Sequence, residues 1–291
     1  MNRFLIICIV SILILYAAFL VTDLLRSRGR LGEEKGSIVF YGALSSGIMF
    51  LSSFGVSDTA LSVFAYKIKK CIQSSLLPGT IITSSILPMG VMAIAFLTSV
   101  EVEPVTLLIC VTSQTAGALL GVRLLLRCPP LLIKRIMGAA LLASAILIVC
   151  KMTVLGIEGG SAIGLSPTGR LIAGIAFFVF GGLNMAGMGA TVTNMAVLLL
   201  LGMDSRSVFP VVMAGNIISC SFGAFGFIKD GKYTRKAAIG SVFGIAGVLA
   251  AVGLVNRIDI QYLQILMAGL LLYCGGDMLW SVRRVQKRQG G

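Results

Sequence analysis

Apolar stretches about as long as a bilayer is thick recur along almost the whole chain, and they restrict its folding more than any other feature. Phe4 to Val21 and Ile136 to Cys150 are two of eight or nine such stretches. A helix needs roughly 20 apolar residues to cross the ~30 Å hydrocarbon core, where every backbone polar group must be bonded within the protein. Of the 291 residues, 57% are hydrophobic and only 12% charged, and the mean hydropathy is +1.00. Soluble domains carry about 25% charged residues. The 35 glycines follow no triplet period, so disordered and collagen-like classes drop out as well. The expected fold is an all-α polytopic membrane protein.

A net charge of +13 points to nucleic acid in a soluble chain. In a membrane chain, basic residues in short loops instead mark the cytoplasmic side, so no nucleic-acid partner is expected. The N-terminal apolar run is followed by Arg26, Arg28 and Arg30 rather than preceded by a basic cluster. It reads as an uncleaved first helix and not as a signal peptide. The chain has no histidine, which removes Ser/His nucleophiles, histidine-held metals and imidazole proton relays. The seven cysteines (Cys8, Cys71, Cys110, Cys128, Cys150, Cys220, Cys274) show no CxxC spacing and read as small buried hydrophobes. No P-loop string is present. Gly275-Gly276-Asp277 resembles part of an intramembrane aspartyl protease motif, but that chemistry needs two facing carboxylates. Neither an enzyme nor a cofactor is expected.

Breaks in hydropathy give full-length helices near 4–25, 76–98, 105–126, 131–150, 207–228, 237–255 and 258–282. Two further regions, 38–66 and 171–202, are interrupted, at 52–58 and at 184–191. The pieces that follow the breaks, Ser57–Tyr66 and Ala190–Gly202, reach about half the hydrocarbon thickness at 1.5 Å per residue. Each region is therefore expected to enter the membrane, break, and return to the same side. With that arrangement eighteen Lys and Arg residues fall in loops on one side and five on the other. If both regions crossed fully, Lys67, Lys69 and Lys70 would change sides and the bias would weaken. The N-terminus is then outside and the C-terminus cytoplasmic.

Behind the first helix the chain repeats itself. Gly47 recurs as Gly182, Pro78 as Pro210, Gly117 as Gly247 and Gly138 as Gly269. The string Thr80-Ile81-Ile82-Thr83-Ser84-Ser85 matches Asn216-Ile217-Ile218-Ser219-Cys220-Ser221. The expected organisation is an N-terminal helix and basic loop (1–35), a first repeat (36–155) and a second (156–291). Each repeat has four elements and opens on a broken, re-entrant helix. Each half crosses three times net, an odd number, so the halves are inverted, as in secondary transporters whose paired breaks hold the substrate near the midplane.

Backbone freed from a helix at membrane depth is tolerated only where it lines a cavity. The N-terminus of each half-helix offers N–H groups and a positive dipole end to an anion. Gly55, Gly187 and Gly189 permit close approach of backbone to ligand. Uncharged donors cluster beside them: Ser52, Ser53, Ser57 and Thr59 in one half, Asn184, Thr191, Thr193 and Asn194 in the other. Each alone serves equally well as glue between helices; the doubled cluster favours a site. Asp58 opens the first half-helix and has two competing roles, a cap or a group that takes up a coupled proton or cation. Gln114 and Asn216 are polar at mid-helix depth, on faces the sequence leaves open. Asp23, Asp277 and Arg123 lie near helix ends and read as structural or snorkelling groups.

The segment from Gly117-Ala118 through Val122-Arg123 to Arg127-Cys128-Pro129-Pro130 and Lys134-Arg135, with the glycine-bearing breaks Phe54-Gly55-Val56-Ser57 and Gly187-Met188-Gly189-Ala190-Thr191, resembles the sulfite exporter TauE/SafE (TSUP) family of membrane transporters. The resemblance runs from about Ile38 to Trp280, although the family's proline after each break is absent. It implies movement of a sulfur-containing or organic anion, such as sulfite, thiosulfate or a sulfonate, across a bacterial cytoplasmic membrane. The expected partners are a small anionic substrate and the lipid bilayer; assembly into a homo-oligomer stays open. The competing readings are a passive anion channel and a non-transporting membrane assembly or sensor subunit.

Overall fold

The computed structural model describes residues 2–32, 34–53, 58–69, 71–97, 102–153, 160–186, 190–252 and isolated positions between 269 and 282. Among these residues there is no strand, only an isolated bridge between Ala162 and Met203. The helices are α1 (Asn2–Arg26), α2 (Ile38–Ser52), α3 (Asp58–Ile68), α4 (Leu77–Leu97), α5 (Pro104–Leu126), α6 (Pro130–Thr153), α7 (Pro167–Met185), α8 (Ala190–Leu200), α9 (Ser205–Lys229), α10 (Arg235–Gly240) and α11 (Gly244–Val252). Five of them, α1, α4, α5, α7 and α9, are long and apolar enough to cross a membrane, and α2 is a shorter apolar helix. The expected all-α chain with several membrane-length helices is what the structure contains.

Local chemistry sets where the helices begin. Ser37 caps α2 by accepting the Phe40 N–H, and Ser166 caps α7 by accepting the Gly169 N–H ahead of Pro167. Asp204 accepts the Ser207 N–H at the start of α9. Gly202 and Gly231 take positive φ just past α8 and α9, where a side chain would be strained.

Helices α4 and α9 pack against each other at the centre, and 83% and 78% of their spans are buried, against 17% for α1. α5 lies along α7 and α9, while α10 and α11 lie along α2 and α4. The two lateral contacts are built alike. A Cβ on Gly117 would strike the Phe178 carbonyl of α7, and one on Gly247 would strike the Ser46 carbonyl of α2. The short helices repeat the pattern: α3 packs on α2 and α4, and α8 packs on α7 and α9. α6 rests on α8, while Tyr273 meets Phe64 of α3 edge-on at 6.1 Å between ring centroids. α1 runs outside this arrangement across α4 and α9, held by a hydrogen bond from the Tyr16 hydroxyl to the Thr83 carbonyl.

The loops sort to two ends. At one end Glu34, just before α2, accepts the Arg235 and Lys236 N–H groups, and Thr80, early in α4, accepts the Thr234 N–H. The α2–α3 pair therefore starts and finishes at the end where α5 terminates, since Pro78, Leu125 and Lys232 share one small pocket. At the other end, where α5 begins, the Glu103 N–H bonds Ile163 and the Leu165 N–H bonds the Thr106 hydroxyl, just ahead of α7. Asp204, after α8, bonds back to Ala162 there. The α7–α8 pair starts and finishes at this opposite end.

One expectation needs correction. The span read as a continuous helix over 237–255 is divided into α10, a 3₁₀ turn Ser241–Phe243, and α11, with 253–255 outside the described residues. The Ser241 hydroxyl donates to the Ala238 carbonyl, and Gly240 sits against the backbone of Tyr41 and Gly42. Close approach to α2 favours the tighter winding there. The span read over 258–282 lies almost wholly outside the described residues.

Candidate functional site

Each interrupted region breaks where the sequence places it. α2 ends at Ser52 and α3 begins at Asp58; α7 ends at Met185 and α8 begins at Ala190. Gly55 and Ser57 in the first break and Gly187 and Gly189 in the second lie outside the described residues. The half-helices α3 and α8 are each 11 residues long, about 16 Å, roughly half the hydrocarbon thickness.

Around the second break the polar side chains bond one another. Asn184 Oδ1 accepts the Ala190 N–H at 3.0 Å, capping α8 across the break, and its Nδ2 donates to Cys220 Sγ at 3.3 Å. Gln114 Nε2 donates to Asn216 Oδ1 at 2.7 Å, and Gln114 Oε1 accepts from Asn194 Nδ2 at 3.2 Å. Asn216 Nδ2 donates in turn to Thr191 Oγ1 at 2.9 Å. This chain joins α5, α8 and α9, and Gln114 and Asn194 are fully buried. Gly215 makes room for it, because a Cβ there would strike the Gln114 amide oxygen. Asn194 Oδ1 is buried without a hydrogen-bond partner among the described residues. Thr193 stands apart from the chain and bonds the Ala190 carbonyl within α8.

The first break is organised by a carboxylate. Asp58, half-buried, accepts the Ser85 hydroxyl of α4 at 2.9 Å, and the Thr59 hydroxyl and N–H are also directed at it. Ser53 is buried and bonds the Met49 carbonyl, and half-buried Ser52 closes α2. Pro88 has no N–H, so the Ser84 carbonyl one turn earlier is freed from its helical bond beside this cluster. Ser84 bonds the Ile81 carbonyl and interacts with the Tyr66 hydroxyl.

Helix α9 borders both break regions, since it packs on α4, which holds Asp58 through Ser85, and on α8. In α9 the Cys220 thiol accepts the Asn184 side-chain amide. The first turn of α3 is thus tied to α4 through Ser85, and the first turn of α8 to α9 through Asn184, with α4 and α9 packed on each other. The sequence marks neither Ser85 nor Cys220 as a site residue, and reads Cys220 only as a small buried hydrophobe. Their signal was there: both fall within the matching strings 80–85 and 216–221.

Chemically the two break regions differ. The start of α8 presents neutral amide and hydroxyl groups at a positive dipole end, which suits an anion. The start of α3 carries a carboxylate, which suits a proton or a cation. Among the described residues no three His, Cys, Asp or Glu side chains converge as a metal site would require. No protein-family model and no curated protein matches this chain.

Proposed function

We propose that the chain is an inverted-repeat secondary transporter of a small anion, with substrate taken up where the two helix breaks approach each other. The observation that carries this reading is that the first turn of each half-helix is tied to one of the two central helices, Asp58 to Ser85 of α4 and Ala190 through Asn184 to Cys220 of α9, and that α4 and α9 pack on each other. Inversion is supported by three pairings: α5 on α7 against α11 on α2, the contact of α4 with α9, and hairpins that open at opposite ends. Exchanging α2 for α7, α3 for α8, α4 for α9 and α5 for α11 leaves this pattern unchanged, as a twofold axis in the membrane plane requires.

The buried amide chain favours a transporter over a passive channel. Gln114, Asn194 and Asn216 are 0–1% exposed and fill the space between α5, α8 and α9. Passage there requires those bonds to open, which is alternating access rather than a standing pore. The resemblance to the TauE/SafE family directs the choice of substrate toward sulfite, thiosulfate and sulfonates, and the membrane toward a bacterial cytoplasmic one.

Flux into proteoliposomes tests the reading. Saturable uptake of one of these anions, with counterflow from preloaded vesicles, is expected. Absence of flux for small sulfur and carboxylate anions, or flux that never saturates, overturns it.

A further inference from the structure

Away from the helix breaks, the outer side of α5 and α7 carries a groove of about 590 Å³. Its walls are Ile109 and Ser113 of α5 with Gly174, Ile175 and Phe178 of α7, and Arg170 stands towards one end. Gly174 keeps the floor low, since a Cβ there would already press on Ile109 and Ser113. Ile175 is 61% exposed and Phe178 40%, so the apolar wall faces outward.

From Pro167 to Phe178 the groove follows α7 for about 16 Å, roughly one leaflet of a ~30 Å hydrocarbon core. Arg170 lies in the first turn of α7, where the span begins. Its guanidinium is paired with Glu103 through one terminal nitrogen, and its Nε has no hydrogen-bond partner among the described residues. That Nε is buried, so a second acceptor in the groove is left the other terminal nitrogen and the free N–H of the paired one. The guanidinium therefore sits beside a positive helix terminus, at the polar mouth of an apolar slot one leaflet deep. We propose that this groove holds a single glycerophospholipid, its phosphate on Arg170 and one acyl chain along Ile109, Gly174, Ile175 and Phe178. The proposal does not depend on the transport reading.

Native mass spectrometry of the full chain tests it, after incubation with palmitoyl-oleoyl phosphatidylethanolamine, the matching phosphatidylglycerol, or the diacylglycerol that lacks the phosphate. One molecule of either phospholipid should stay bound, because both present the same phosphate diester, and diacylglycerol should not. R170Q is expected to lower occupancy about tenfold, whereas R170K, which keeps the charge, retains much of it. G174L fills the slot without touching the ion pair and should lower occupancy as far as R170Q does. Equal occupancy in wild type, R170Q and G174L overturns the proposal, as does equal retention of diacylglycerol. Efficient disulfide cross-linking of two F178C chains in the membrane also overturns it, since a second copy would then cover the groove.

Discussion

The Asn184 side-chain amide donates to the thiol of Cys220 at 3.3 Å, and through this bond the second helix break is held to α9, the helix that packs on α4. The same side chain caps α8 through its oxygen, so one residue both shapes a half-helix terminus and fixes where that terminus points.

Replacing Asn184 with Ala removes both bonds. Loss of an N-cap costs about 1 kcal/mol, up to about 2, and the freed Ala190 N–H is left inside the bundle. C220A deletes only the contact to the thiol, and its cost is expected to be the smaller of the two. Thermal unfolding in detergent checks the order, and flux should fall further for N184A than for C220A.

Asp58 distinguishes a cap from a coupling group. D58N keeps the shape and an acceptor for Ser85 but cannot exchange a proton at the same site. If the chain transports an anion and Asp58 takes up the coupled proton, flux through the wild type varies with pH and flux through D58N does not, while unfolding temperature changes little. Normal flux with unaltered pH dependence in D58N reduces Asp58 to a helix cap.

The glycines at the lateral contacts divide by what a Cβ would meet. G117V and G247V each drive a side chain into a backbone carbonyl, which cannot swing aside, so each should cost about 3 kcal/mol, the upper part of the range for overpacking. Gly47 has nothing within 4 Å of a Cβ and lies inside α2. G47A should therefore be neutral or gain about 0.5–1 kcal/mol from helix propensity. Unfolding temperatures of the three variants give the comparison directly.

Arg235 binds the first helix to the rest. It pairs with Asp23 at 3.2 Å and Glu34 at 3.8 Å, and its guanidinium lies 5.2 Å from the Tyr233 ring centre. Burial, with Asp23 alongside, pushes the Tyr233 hydroxyl above its usual range, so it stays protonated and donates to Asp23 at 2.6 Å. R235M should lower stability by about 2–3 kcal/mol, less than a fully buried pair loses because Asp23 and Glu34 keep some contact with solvent. The effect should shrink in a D23N background, which a double-mutant cycle measures.

Much of the architecture was legible in the sequence because hydrophobic length is a one-dimensional property. The spans, the two breaks and the recurrence of Gly117 as Gly247 follow from residue order alone. The tightening at Ser241–Phe243 was not legible, because it depends on how closely α2 approaches. The same holds for the site. Asp58, Asn184 and Asn194 stand out as polar residues in apolar surroundings, whereas Ser85 and Cys220 look like ordinary small residues of a membrane helix.

By itself the sequence determined that this chain is helical, that it has helices long enough for a bilayer, and where two of its apolar regions are interrupted. A run of apolar residues has few alternatives once the backbone must satisfy its own hydrogen bonds. Only the tertiary structure decided which polar atoms pair: that Gln114 turns to Asn216 and not to lipid, and that Asn184 reaches Cys220. Those choices depend on helix rotation and on approaches of a few ångströms between segments more than 30 residues apart, for which a linear order of residues carries no distance.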